Sequence, residues 1–175
     1  MTVLVRAAVP GDFAEIARVS VAAYEADGQL PGKHGYERKL TDVPARAAAG
    51  ELLVAVDAAG SVLGSVTFVL PGSPYAQLAG PGEAEFRMLA VDPAAQGRGA
   101  GAALVTACLD RAAAAGCAGV VICVRSFSAP AQRLYARFGF TRLPDRDWSP
   151  APDVDLLALR LALPVAARQP SSIME

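Results

Sequence analysis

Three glycines fall within five residues in Val91-Asp92-Pro93-Ala94-Ala95-Gln96-Gly97-Arg98-Gly99-Ala100-Gly101-Ala102, between a stretch of strand character and one of helical character. Glycine lets the backbone turn tightly and bring successive N–H groups close to a ligand. A helix opening there adds unpaired donors and the positive end of its dipole, so the turn favours an anion such as a pyrophosphate. Gly97-Arg98-Gly99-Ala100-Gly101-Ala102 also satisfies the dinucleotide fingerprint G-x-G-x-x-A. That fingerprint belongs tight against a strand, however, whereas several residues separate Val91 from Gly97. The next strand, moreover, ends in Arg125 and not in the acidic residue that grips a ribose. A G-x-x-x-x-G-K-[ST] phosphate loop does not occur in the sequence.

Other chemistries are poorly supplied. His34 is the single histidine, so histidine-based zinc motifs are absent, and a Ser–His–Asp triad would have to use His34 with no G-x-S-x-G elbow to accompany it. No metal is expected. Cys108, Cys117 and Cys123 form no C-x-x-C and read as small buried hydrophobes, which points to a reducing, cytoplasmic setting. A net charge of −1 without basic clusters argues against nucleic-acid binding. No apolar run approaches the ~20 residues that span a bilayer, and the N-terminus lacks the features of a signal peptide, so no membrane partner is expected.

The elements that must position the turn read as follows. Val3–Arg6 is a short strand. Asp12 and Glu15 form a capping box for a helix carrying Ile16, Val19 and Ala23. Residues 27–41 read as loop or irregular helix, and Asp42 caps a short helix closed by Gly50. Leu52–Asp57 and Val62–Leu70 flank the tetrad 58–61 as a hairpin. Pro71–Gly82 is a long loop of functional length, Glu83–Val91 a fourth strand, and about Gly99–Ala115 a helix with the stripe Leu104, Val105, Cys108, Leu109, Ala112. Val120–Val124 is a doubly covered strand, Ala129–Phe138 a helix ended by Gly139, and Phe140–Leu143 and Val154–Leu163 are the closing strands. This predicts one mixed α/β domain over residues 1–163, helices on both faces of its sheet, and a flexible tail at 164–175.

Gln96-x-x-Gly99-x-Gly101 matches the signature Q/R-x-x-G-x-G/A of the GNAT N-acetyltransferase superfamily, and Glu85–Leu104 resembles the strand–turn–helix of its motif A. Ser128-Ala129-Pro130-Ala131-Gln132-Arg133-Leu134-Tyr135-Ala136-Arg137-Phe138-Gly139-Phe140 resembles motif B, N-x-x-A-x-x-L-Y-x-x-x-G-F, and Arg6–Asp12 resembles the usual opening. The resemblance spans about residues 3–163, with both motifs in order and at the right separation.

It implies a mostly antiparallel sheet whose central strands splay into a cleft. Main-chain groups of Leu89, Ala90 and Val91 would pair with the pantetheine arm of acetyl-CoA as an added strand. The pyrophosphate would rest on the amides of Gln96, Gly97, Arg98, Gly99, Ala100 and Gly101, with Arg98 adding charge. Ser128, where the family usually has asparagine, and Ala131 would complete the cofactor contacts; Ser128 is equally suited to cap the helix. Glu85 stands where several members carry the base, with Glu83 two residues earlier on the same face, and Tyr135 stands at the family's general acid. The amide of Leu89 or a neighbour would steady the developing oxyanion.

The implied activity is N-acetyl transfer from acetyl-CoA to a primary amine by direct attack in a ternary complex. A non-catalytic acyl-CoA-binding module of the same fold is the alternative, and an NAD(P)-dependent oxidoreductase a weaker one. The acceptor is a small-molecule or peptide amine, shaped by residues 24–40 and 71–82. Tyr24, Glu25, Asp27, Tyr36, Glu37 and Tyr75 could hold a cationic or aromatic amine there. A homodimer is compatible with such proteins.

Overall fold

Alternation, turn residues and one helical crossover determine how the strands assemble. The computed structural model describes residues 2–30 and 35–164. Its elements are β1 (Leu4–Ala7), α1 (Phe13–Ala26), α2 (Tyr36–Thr41), α3 (Val43–Ala49), β2 (Glu51–Val56), β3 (Val62–Val69), β4 (Glu83–Val91), α4 (Ala100–Ala114), β5 (Gly119–Arg125), α5 (Ala129–Phe138), β6 (Thr141–Arg142), β7 (Trp148–Ala151) and β8 (Val154–Ala162). The sheet runs β1-β2-β3-β4-β5-β8-β6, with β7 also on β8. Hairpin-type neighbours pair antiparallel, and only β4 and β5, joined through α4, pair parallel.

Both faces of the sheet are covered, which is why β2 reads as an uninterrupted apolar run. On one face α4 buries Leu104, Val105, Cys108 and Ala112 completely, over Leu53, Val66, Phe86 and Ile122. On the other, Ile16 of α1 and Val43 of α3 pack on Leu52, Val54 and Val56.

The register between β3 and β4 slips once. Ser65 faces Ala90 while Thr67 faces Arg87, so Val66 alone stands opposite Met88 and Leu89. Met88 takes a positive φ of 58° in this bulge. A bulge sharpens the local twist, and a side chain at positive φ is strained. Next to it, β4 leaves β5: their ladder covers only Glu83↔Gly119 to Glu85↔Val121, whereas β5 stays paired with β8 as far as Arg125↔Leu156. The sheet therefore opens between β4 and β5.

Several expectations are corrected. Asp12 makes no side-chain cap bond; its carboxylate instead receives Arg6 at 2.7 and 3.0 Å and the Val9 amide, while Glu15 pairs with Arg18. A guanidinium fork offers that carboxylate more than a helix amide does, so tertiary pairing displaces the capping box. Within 27–41, residues 36–41 are helical. Strand β7 was not foreseen: Pro150 and the exposed Ser149 hide its character, and its pairing with β8 reveals it. The segment 140–143 pairs only at Thr141 and Arg142. His34 and the expected tail beyond residue 164 lie outside the described residues.

Candidate active site

The opening between β4 and β5 leads into a cavity of about 270 Å³. Its wall joins the two faces of the sheet. Phe86, Leu89, Val124, Ala131 and Tyr135 line the side toward α5, and Tyr24, Tyr36, Arg87, Cys123 and Arg125 belong to the side covered by α1 and α2. Of the residues singled out from sequence, Leu89, Ala131 and Tyr135 thus share one wall. Ala90 and Val91 continue β4, paired with Ser65 and Gly64 of β3, and their other edge faces the opening.

The glycine turn follows directly. A short 3-10 turn, Pro93–Ala95, is capped by Asp92, whose carboxylate accepts the Ala94 amide. Gln96 is extended, Gly97 and Gly99 have φ of 79° and 84°, and α4 starts at the buried Ala100. Those positive φ values are where glycine is needed. A Cβ on Gly101 would touch Leu134 and Val91 at 3.4 and 3.6 Å, so the first turn of α4, α5 and the end of β4 converge here. Free amides at a 15-residue helix N-terminus beside an open strand edge suit a ligand with an anionic end and an amide-bearing arm. Arg98 lies 3.6 Å from Asp57, so part of its charge is already answered within the protein.

Glu85 is wholly buried where the ladder ends. Its Oε1 accepts three main-chain amides, from Gln77 at 3.0 Å, Leu78 at 2.8 Å and Ala79 at 3.0 Å. Its Oε2 is buried without a hydrogen-bond partner among the described residues. The loop 71–82 therefore folds around this carboxylate, something no local pattern announced. Gln77 in turn lines the cavity, as do Arg87 and Cys123, which follow on the same face of β4 and β5. Glu85 itself is enclosed behind them.

Glu83 is no exposed companion. It is buried, with Arg146 and Arg160 each at 2.8 Å and the Gly80 amide at 3.0 Å. Burial works to raise its pKa, but these partners outweigh it and hold the carboxyl below the usual range.

Tyr135 is buried against Phe86 and Phe140, with ring centroids 5.9 and 5.8 Å away. Burial raises its phenol pKa, so the hydroxyl stays protonated and able to donate. Ser128 occupies the N-cap position of α5 yet makes no side-chain cap bond; it is buried, and its carbonyl accepts the Gln132 amide. Gln132 returns its side chain to the carbonyls of Arg125 and Ser126, bracing the β5–α5 turn. The thiol of Cys123 accepts the Trp148 indole N–H, and burial pushes its pKa up to about 11. A thiol so held is a poor nucleophile near neutral pH.

On the acceptor side the expected carboxylates Glu25, Asp27 and Glu37 do not line the cavity; Tyr24 and Tyr36 do, with ring centroids 5.7 Å apart. Sequence reading missed Arg87, Arg125 and Lys39, which line it, because only the turn of the chain after β5 and α1 brings them together.

A model of the acetyltransferase (GNAT) family matches residues 13–140. The chain is similar to a mycothiol acetyltransferase of Nocardioides sp., 38% identical over 144 residues, which is 77% of this chain and 48% of that protein. It thus spans about half the length of that curated relative. Among solved structures, an acetyltransferase of the GNAT family from Staphylococcus aureus Mu50 superposes with a TM-score of 0.73 at 11% identity, covering 93% of this chain and 100% of that one. A GNAT family acetyltransferase from Brucella melitensis in complex with acetyl-CoA superposes with a TM-score of 0.62 at 27% identity, covering 94% and 91%.

Proposed function

Because this chain belongs to the GNAT acetyltransferase family, we propose that it is an N-acetyltransferase that passes the acetyl group of acetyl-CoA directly to a primary amine held in the cleft. The observation that carries this reading is the pair of unequal oxygens on Glu85. One is pinned by three amides, and the other, buried behind the cavity wall where the β4–β5 ladder ends, has no hydrogen-bond partner among the described residues. A carboxylate held this way keeps its orientation and has one basic position to spare.

Acetyl-CoA would supply an activated acetyl thioester. The open edge of Leu89, Ala90 and Val91 would bind its arm, and the amides from Gln96 to Gly101 its pyrophosphate; Ser128 and Ala131 would flank it. Oε2 of Glu85 takes a proton from the ammonium form of the amine through a bridging water admitted past the cavity wall, which leaves a neutral nitrogen. That nitrogen bonds to the acetyl carbon, the carbon–sulfur bond breaks, the sulfur takes the proton of the Tyr135 hydroxyl, and the phenolate takes the proton that the acylated nitrogen sheds. A main-chain amide near Leu89 draws charge onto the carbonyl oxygen meanwhile. The one thiol on the cavity wall among the described residues, Cys123, is kept protonated, which favours direct transfer over an acetyl-enzyme route.

The test is CoA release from acetyl-CoA across a panel of primary amines, paired with calorimetry of CoA binding. Amine-dependent thiol release supports the reading. Tight CoA binding with no acceptor turned over would favour the non-catalytic module.

A further inference from the structure

The acceptor half of the cavity is cationic. Arg87, Arg125 and Lys39 line it, and no aspartate or glutamate does among the described residues. Arginines elsewhere, such as Arg6, Arg18, Arg111 and Arg160, lie against carboxylates. Arg87 and Arg125 instead meet main-chain oxygens and rings. Arg125 stacks over Phe127 with its guanidinium carbon 4.8 Å from the ring centroid. Its terminal nitrogens donate at the long distances of 3.5 and 3.4 Å to the carbonyls of Gln29 and Asp153, and its Nε is buried without a partner. Arg87 donates to the Tyr75 carbonyl at 3.1 Å.

Beneath them Arg46 is wholly buried with only neutral acceptors: the hydroxyls of Ser20, Ser65 and Thr67 and the Leu40 carbonyl. Burying a charge without a counter-ion is costly, and inside a protein its field reaches further than in water. A cleft so furnished lowers the pKa of a bound ammonium, which eases passage of its proton to Glu85, and it suits an anionic group on the acceptor.

We propose that the acceptor is an amine that carries its own carboxylate, of free amino-acid type, with the carboxylate held by Arg125 and Arg87 and the amino group turned toward Glu85. This rests on the acetyl-transfer reading above. By strand alternation Glu85 and Arg87 on β4 and Cys123 and Arg125 on β5 share one sheet face around the opening, so a short molecule can bridge base and cations. Tyr24 and Tyr36 offer it an aromatic wall on that side of the cavity.

The experiment compares free L-amino acids with their C-terminal amides as acceptors, by CoA release. The acid of a pair should exceed its amide about 10- to 100-fold in kcat/KM, mainly through KM, the scale of hydrogen bonds between charged groups. Arg125→Gln should collapse that ratio, and Arg125→Lys should recover part of it. Amides used as well as acids would overturn the inference and leave acetyl transfer standing. If no amine is acetylated, the transfer reading falls, and calorimetry of N-acetyl amino acids against their amides on the CoA-loaded protein still decides charge recognition. Tighter binding of the acid supports it, and equal binding refutes it.

Discussion

At the residue scale, Glu85 has to keep one oxygen still and the other available. In Glu85→Gln the amide NH2 cannot face three N–H donors, so the carbonyl oxygen must stay with Gln77, Leu78 and Ala79. The NH2 then takes the place of Oε2. The substitution thus keeps the loop and removes the acceptor. Turnover should fall about 10²- to 10⁴-fold, with CoA affinity unchanged by calorimetry. The deficit should narrow as rising pH deprotonates the amine unaided; a deficit constant across the pH–rate profile would place the base elsewhere. Tyr135→Phe keeps the ring contacts to Phe86 and Phe140 and deletes the proton donor. Single-turnover rates should drop about 10- to 100-fold, and an undiminished rate of the chemical step would remove Tyr135 from the mechanism.

At the scale of elements, a one-residue bulge in β4 accompanies the opening of the sheet, and a glycine turn leads into the N-terminus of α4, where the cofactor's pyrophosphate is proposed to rest. Gly99 sits at φ 84° and nothing lies within 4 Å of where its Cβ would be. Gly99→Asp therefore meets no steric block in the protein; it costs about 1 kcal/mol of backbone strain and sets a negative charge at the helix N-terminus. CoA affinity should weaken about tenfold or more while the thermal transition falls only a few degrees. Unchanged CoA affinity in that folded variant would falsify the pyrophosphate assignment.

At the scale of the whole molecule, Glu83 ties β4 to β8 through Arg160 and to the turn between β6 and β7 through Arg146. Gly119 of β5 makes this possible, since a Cβ there would collide with the Arg160 guanidinium. With the folded pKa of Glu83 held below its unfolded value, its stabilisation is complete above about pH 4.3 and is lost as pH falls through that value toward the folded one. Asp12, lowered chiefly by Arg6, and Asp92, lowered chiefly by the Ala94 amide, act in the same direction. Melting temperature should hold from pH 7 to about 5 and then decline. Glu83→Gln should cost about 3 kcal/mol at pH 7, the lower end for breaking a buried ion pair, and flatten the acid decline. An acid limb equally steep in the variant would show that other carboxylates set it.

What the sequence determined by itself is what depends on near neighbours. Apolar periodicity and caps placed every helix but α2 and most strands, the glycines at 97, 99 and 101 marked the turn, and the two motifs at their separation named the family and aligned Glu85 and Tyr135 with the roles proposed for them. Strand β7, the Met88 bulge, the loop amides around Glu85 and the arginine pair on Glu83 are made by residues distant in the chain, or by a register that only the folded sheet sets. The same holds for the wall proposed to hold the acceptor. Arg46, Arg87 and Arg125 look like ordinary surface arginines in the sequence, because a charge reveals no purpose until packing decides which carboxylates it can reach. Here packing gave Arg46 three hydroxyls and left Arg87 and Arg125 on the wall of the cleft.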